Sequence, residues 1–152
     1  MAEPKRIQLS RFPGFRLQEH SKQLNGLYAV KVDRTTSYGN PWRIGEPIDT
    51  AMVKRWGWQI SPEGKRHVCG CAKEAVAKFA HALLWDVAIH DSVRAKLGGK
   101  NLACWCKPDE FCHATPLLVI ANSKKGDIDA IHAAIDKAIH EEAARILKEE
   151  TS

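Results

Sequence analysis

A chain of 152 residues, 44% hydrophobic and 27% charged, can build one ordinary core and is too apolar to be disordered throughout. No apolar run approaches the roughly eighteen residues of a membrane span, and the N-terminal Met-Ala-Glu-Pro-Lys-Arg lacks the apolar stretch of a secretory signal, so the expected setting is the cytoplasm, with no membrane partner. The net charge of +5 is uneven: residues 1–66 carry +6 and residues 67–152 carry −1, which points to a phosphate-bearing partner or to a solvated basic surface.

In chain order, residues 1–25 alternate arginines with apolar positions, and residues 7–9 read as a short edge strand. Residues 27–32, Leu-Tyr-Ala-Val-Lys-Val, are β-branched and aromatic and predict a strand. Gly39-Asn40-Pro41 predicts a turn, because glycine and asparagine tolerate positive φ and proline stops regular pairing. Residues 50–56 predict a short helix and residues 60–64 a loop. From Cys71 onward, Ala75, Val76, Phe79, Ala80, Leu83, Leu84 and Val87 recur at helical spacing, the mark of a core-facing helix. Gly98-Gly99 closes a further short helical stretch, and residues 102–105 predict a central, buried strand. Residues 113–121 predict a helix that holds Pro116 in its first turn, where its missing N–H breaks no ladder bond. A last helix over residues 127–148 carries the stripe Ile128, Ile131, Ile135, Ile139, Ala143, Ile146.

Alternating strands and helices predict an α/β fold. One small sheet flanked by helices would occupy residues 1–122, and a C-terminal amphipathic helix would extend over residues 123–152. That helix is marginal alone in water, so its stripe must be covered, by its own core or by the same helix of a second chain. In a homodimer, a chain ending at Asn122 would stay folded as a monomer.

The chemistry concentrates between residues 101 and 115. Five cysteines are present, four of them in the pairs Cys69/Cys71 and Cys104/Cys106, with Cys112 as the fifth. In a reducing compartment such clustering points to metal or catalysis before disulfides. Cys104 and Cys106 would share one face of a strand, and a turn through Pro108 would return Cys112 and His113 at a helix start, the edge where α/β sheets bind ligands. Three readings are open. Cys104, Cys106, Cys112 and His113 can form a Cys3His zinc site. Cys112 at a helix N-terminus can be a catalytic thiolate with His113 as its acid or base. The cysteines can also simply pack as small apolar groups.

His67, Cys69 and Cys71 form a second, weaker metal pattern. Tyr38, Trp42, Trp56 and Trp58 among Arg34, Arg43, Lys54 and Arg55 can stack bases or can be core. Arg6, Arg11, Arg34, Asn40 and Arg43 are the candidate ligand-binding residues for a nucleotide or nucleic acid. The alternative is a non-enzymatic module, with zinc stabilising its loop and the basic face binding nucleic acid or a protein.

The segments Arg6-Ile-Gln-Leu-Ser-Arg11, Val30-Lys-Val-Asp-Arg-Thr-Thr36, Tyr38-Gly-Asn-Pro-Trp42 and Leu102-Ala-Cys-Trp-Cys106…Cys112-His-Ala114 resemble the bacterial and phage family called domain of unknown function 4326. The resemblance covers about residues 4–122 and implies no established activity. Its pattern implies an acid where this chain has Thr115, and it implies that residues 56–71 are an insertion and that the helix after Gly126 is an extension. The Cys104, Cys106, Cys112-His113 spacing is also similar to the Cys, Glu, Cys-His of domain of unknown function 488, which implies a carboxylate-like role for Cys106.

Overall fold

Among residues 2–151, which the computed structural model describes, the chain forms three short strands and seven helices. β1 (Arg6–Gln8), β2 (Ala29–Lys31) and β3 (Asn101–Cys104) make a parallel sheet in the order β1-β3-β2. β3 is central and all four of its residues are buried, as befits a parallel strand covered on both faces. Its side chains alternate. Leu102 and Cys104 join the larger core with Phe79, Leu83, Leu117 and Ile120, whereas Ala103 joins Ile7, Leu9 and Ala29 beside Phe15 and Leu17. The expected class, a small α/β sheet flanked by helices with a helix at its C-terminus, is the one found.

α1 (Leu17–Asn25) lies where the sequence suggested only alternation, and it ends at Gly26 in the left-handed conformation, φ 80°. It supplies half of a buried polar lock. Asn101 Nδ2 donates to Ser21 Oγ and to Asn25 Oδ1, both at 2.8 Å, and its Oδ1 accepts from Lys5 N–H at 2.8 Å and Asn25 Nδ2 at 2.9 Å. Asn101→Ala strands these partners, and each unsatisfied buried group costs on the order of 1–3 kcal/mol. The variant should lose about 2–3 kcal/mol in urea unfolding; an unchanged midpoint would remove the lock from the account of stability.

α2 (Thr50–Trp56) is as expected, capped by the Asp49 carboxylate, which accepts from Met52 N–H. The loop expected at residues 60–64 is corrected to α3 (Pro62–Arg66), because Ser61 caps it and Pro62 presets its first turn. α4 (Ala72–Trp85) buries Ala75, Val76, Phe79, Ala80 and Leu83. It stops one step short of the sequence pattern: Asp86 leaves the helical conformation, so Val87 opens α5 (Val87–Leu97) and is exposed. α6 (Ala114–Ala121) and α7 (Ile128–Thr151) complete the chain.

The 39–41 turn exists for a different reason from the one expected. Neither Gly39 nor Asn40 has positive φ. Gly39 is needed because a Cβ there would lie 2.7 Å from Arg34 Cα and 2.9 Å from Met52 Cε. Trp42 and Trp56 belong to the core and Trp58 packs against it, whereas Trp85 and Trp105 are exposed. Trp56 and Trp58 stack at 4.8 Å and 7°, both packing against Phe79, and Trp56 Nε1 donates to Gly39 O at 2.9 Å. Trp42 and Trp56 are buried.

α7 packs on α6 and α4, with Ile131, Ile135 and Ile146 buried. The stripe that suggested a homodimer is thus covered by its own chain. No helix among the described residues is long and apolar enough to cross a membrane.

Candidate functional site

Because β2 and β3 are parallel, their carboxyl ends open on one edge of the sheet. The chain leaves β3 at Cys104, passes Trp105 and Cys106, turns, and returns with Cys112 and His113 ahead of α6. Arg6 holds that turn: its Nη2 donates to the carbonyls of Lys107, Pro108 and Glu110 at 3.1, 2.9 and 2.8 Å. The return gathers three sulfurs, Cys104, Cys106 and Cys112, within 4.8 Å of one another. Cys104 and Cys112 Sγ lie 2.8 Å apart, and Ala114 N–H points at Cys112 Sγ at 3.4 Å.

His113 is adjacent to this group but not in it. Its Nε2 is 2.5 Å from Val32 O, and a carbonyl can only accept, so Nε2 carries the proton. Nδ1 then faces Cys112 Sγ at 3.9 Å, and the ring meets Phe79 edge-on. The imidazole ties the exit of β2 to the start of α6. Of the four residues expected as metal ligands, the structure brings the three sulfurs together and places the His113 ring beside them.

The three thiols do not share charge equally. Cys106 is held well below the ordinary thiol range by hydrogen bonds from Cys104 first and Cys112 second, outweighing its burial, with His113 adding to the effect. The hydrogen bond with Cys106, and then burial, push Cys104 up to about 12, and Cys112 rises through hydrogen bonds with Cys104 and Cys106 and through burial. The shared hydrogen bonds thus favour the charge on Cys106 over Cys104 and Cys112. Cys112, expected to be the reactive thiol, is 0% exposed, and its environment favours the protonated form. The helix N-terminus is present, but two neighbouring sulfurs and burial outweigh it.

Beside Cys106 lies a cavity of about 310 Å³, walled by Asp33, Arg34 and Asn40, by Ala72, Ala75 and Val76 of α4, and by Cys104, Trp105 and His113. Of the five candidate ligand-binding residues, Arg34 and Asn40 are here. Arg34 donates through Nε to Asn40 O and through Nη2 to Trp42 O; Nη1 makes no hydrogen bond among the described residues. Asn40 is used at both ends, by Ala75 O and Trp42 N–H. Burial, and then the like charge of Arg43, lower the Arg34 pKa. The other three arginines are occupied elsewhere: Arg6 on the turn, Arg11 4.9 Å above the Trp105 ring, and Arg43 paired with Asp49 at 2.8 Å. Trp105 is fixed by Asp33, whose Oδ2 accepts from its indole N–H at 2.9 Å.

One site residue was missed. Glu142 of α7 is buried; its Oε1 accepts from Cys112 N–H at 2.9 Å and its Oε2 accepts from the Thr115 hydroxyl. A carboxylate thus reaches Thr115, the position where the family resemblance implies an acid. The signal was available. Residues 135, 139, 142 and 146 fall at intervals of four, three and four, so Glu142 interrupts the apolar stripe itself. A charge on the buried face needs a partner, and a partner marks a site.

The model of the family described as Domain of unknown function (DUF4326) matches residues 16–123. No curated protein and no solved structure matches the chain.

Proposed function

Given that the chain belongs to the DUF4326 family, whose matched span holds Arg34, Cys106 and His113, we propose that it recognises a phosphate-bearing ligand of mononucleotide size at the carboxyl edge of its sheet. Arg34 is the anion-binding group and the Cys106 thiolate is the reactive group of the site. The observation that carries this reading is the juxtaposition of the two around one cavity, with a guanidinium nitrogen still uncommitted. A volume of about 310 Å³ suits a small ligand rather than a polymer. An anion between Arg34 and Arg43 would also relieve their mutual repulsion. Reduced thiols of this kind fit the cytoplasm.

A second reading is favoured by the clustering of the sulfurs. Cys104, Cys106 and Cys112 could hold zinc, with the cavity supplying the fourth position, in a module that binds nucleic acid or protein without catalysis. Zinc bonds of about 2.3 Å set sulfurs roughly 3.7 Å apart, so Cys104 and Cys112 at 2.8 Å would have to separate.

Limited alkylation, read by peptide mass, separates the readings. Cys106 should label before the exposed Cys71, at a rate nearly flat from about pH 6 to about pH 8, whereas an ordinary thiol gains about tenfold per unit. A mononucleotide should slow labelling of Cys106, and Arg34→Gln should abolish that protection. Labelling of Cys106 no faster than Cys71 overturns the thiolate. About one zinc per chain, with labelling released by chelator, would establish the second reading instead.

A further inference from the structure

Away from the sheet edge, His67, Cys69 and Glu74 bring a ring nitrogen, a thiol sulfur and a carboxylate oxygen within 4.8 Å of one another. We propose that these three residues bind a divalent metal ion of the zinc type, with water completing the coordination. The donors come from three places: His67 ends α3, Cys69 lies in the connection that follows, and Glu74 sits in the first turn of α4. His67 Nε2 and Glu74 Oε1 are 2.9 Å apart, near the roughly 3.3 Å that two bonds of about 2.0 Å subtend at a tetrahedral ion.

The donor set selects the ion. Calcium and magnesium want oxygen throughout, whereas nitrogen, sulfur and one carboxylate suit zinc. Entry is open on one side, because the His67 and Glu74 side chains are 42% and 38% exposed, while Cys69 is buried behind them. The carboxylate is already oriented: Gly70 N–H donates to Glu74 Oε1 at 3.3 Å, the kind of outer contact that aims a metal ligand. An exposed His–Glu pair alone is worth little and gives no reason for a buried thiol beside it.

The consequence of such an ion is mechanical. Cys69 bridges Ile44, and its carbonyl accepts from Gly45 N–H at 2.9 Å. Ile44, together with Ala72, Ala75 and Val76, lines the cavity beside Cys106. The ion would staple the 44–47 strap to α4 and so fix two walls of that cavity, whatever ligand the cavity takes.

Cobalt titration of the metal-stripped full-length chain tests this, read by the thiolate-to-cobalt charge-transfer band. Cys106→Ser breaks the sulfur trio and isolates the second cluster. In that background one equivalent of cobalt should still bind with the band. Adding His67→Ala or Glu74→Ala, whose side chains are 42% and 38% exposed, should weaken binding by about 100-fold or more, and Cys71→Ser should change nothing. Absence of the band in Cys106→Ser, or its survival unchanged with His67→Ala, overturns the site. Binding that depends on Cys71 and not on Glu74 overturns the ligand set. Cys69→Ser should remove the band as well, and circular dichroism on each variant confirms that the fold is retained.

Discussion

A chain ended at Asn122 is expected to lose its cooperative fold. α7 covers the faces of α4 and α6, and its Ile131, Ile135 and Ile146 are buried. Burial of each such side chain stabilises by about 1.5–3 kcal/mol. The three together approach the whole stability of an ordinary domain, about 5–15 kcal/mol, before the uncovered surfaces of α4 and α6 are counted. Loss of the near-ultraviolet circular dichroism signal and of a sharp urea transition would be the result. A 122-residue chain that unfolds cooperatively would show that the core is complete without α7.

Glu142 should be the most sensitive single position on that helix. In Glu142→Ala, Cys112 N–H and the Thr115 hydroxyl both lose their acceptor, and Arg6 loses a neighbouring charge. Removing one partner from a buried charged network costs about 3–5 kcal/mol. Glu142→Gln keeps the shape and one good acceptor, and should recover roughly half of that loss. Urea midpoints in the order wild type, Gln, Ala are the expected outcome. The two variants also differ at the sulfurs: freeing Cys112 N–H loosens the return that brings Cys112 to Cys104, so Cys106 labelling should approach that of an ordinary thiol in the alanine variant. Equal midpoints for all three chains would mean that the carboxylate is not part of the scaffold.

The parts of the fold written in periodic patterns were legible in the sequence. The central position of β3 followed from its uninterrupted apolar run, and α4 and α7 followed from spacings of three and four. α1 was hidden because only partial burial is asked of it: Ser21 is its buried residue, so no apolar stripe announces it. Local chemistry decided α3, where a capping serine and a proline outweighed the loop composition of the segment. At the site, clustering of cysteines identified the three sulfurs, but direction could not be read. His113 turns to Val32 O rather than to the sulfurs, a choice set by a strand 81 residues away. For the same reason the arginines looked equivalent in sequence. Arg6 is turned to the backbone turn and Arg43 to Asp49, and of the three Arg34 lines the cavity.

The strand order has a consequence for how the chain comes to be folded. β1 and β2 never pair with each other; each pairs only with β3, about seventy to ninety-six residues further along. During synthesis no ladder bond of this sheet can therefore form until residue 101 has emerged, by which time α1 through α5 are already available to collapse. Closing such long loops is slow because the entropy is lost before the contacts are gained. β3 must enter between two strands that have been waiting unpaired, and it brings Cys104 with it. The thiols consequently meet late, after the helices and after the first contacts of the core, and Glu142 reaches them last of all.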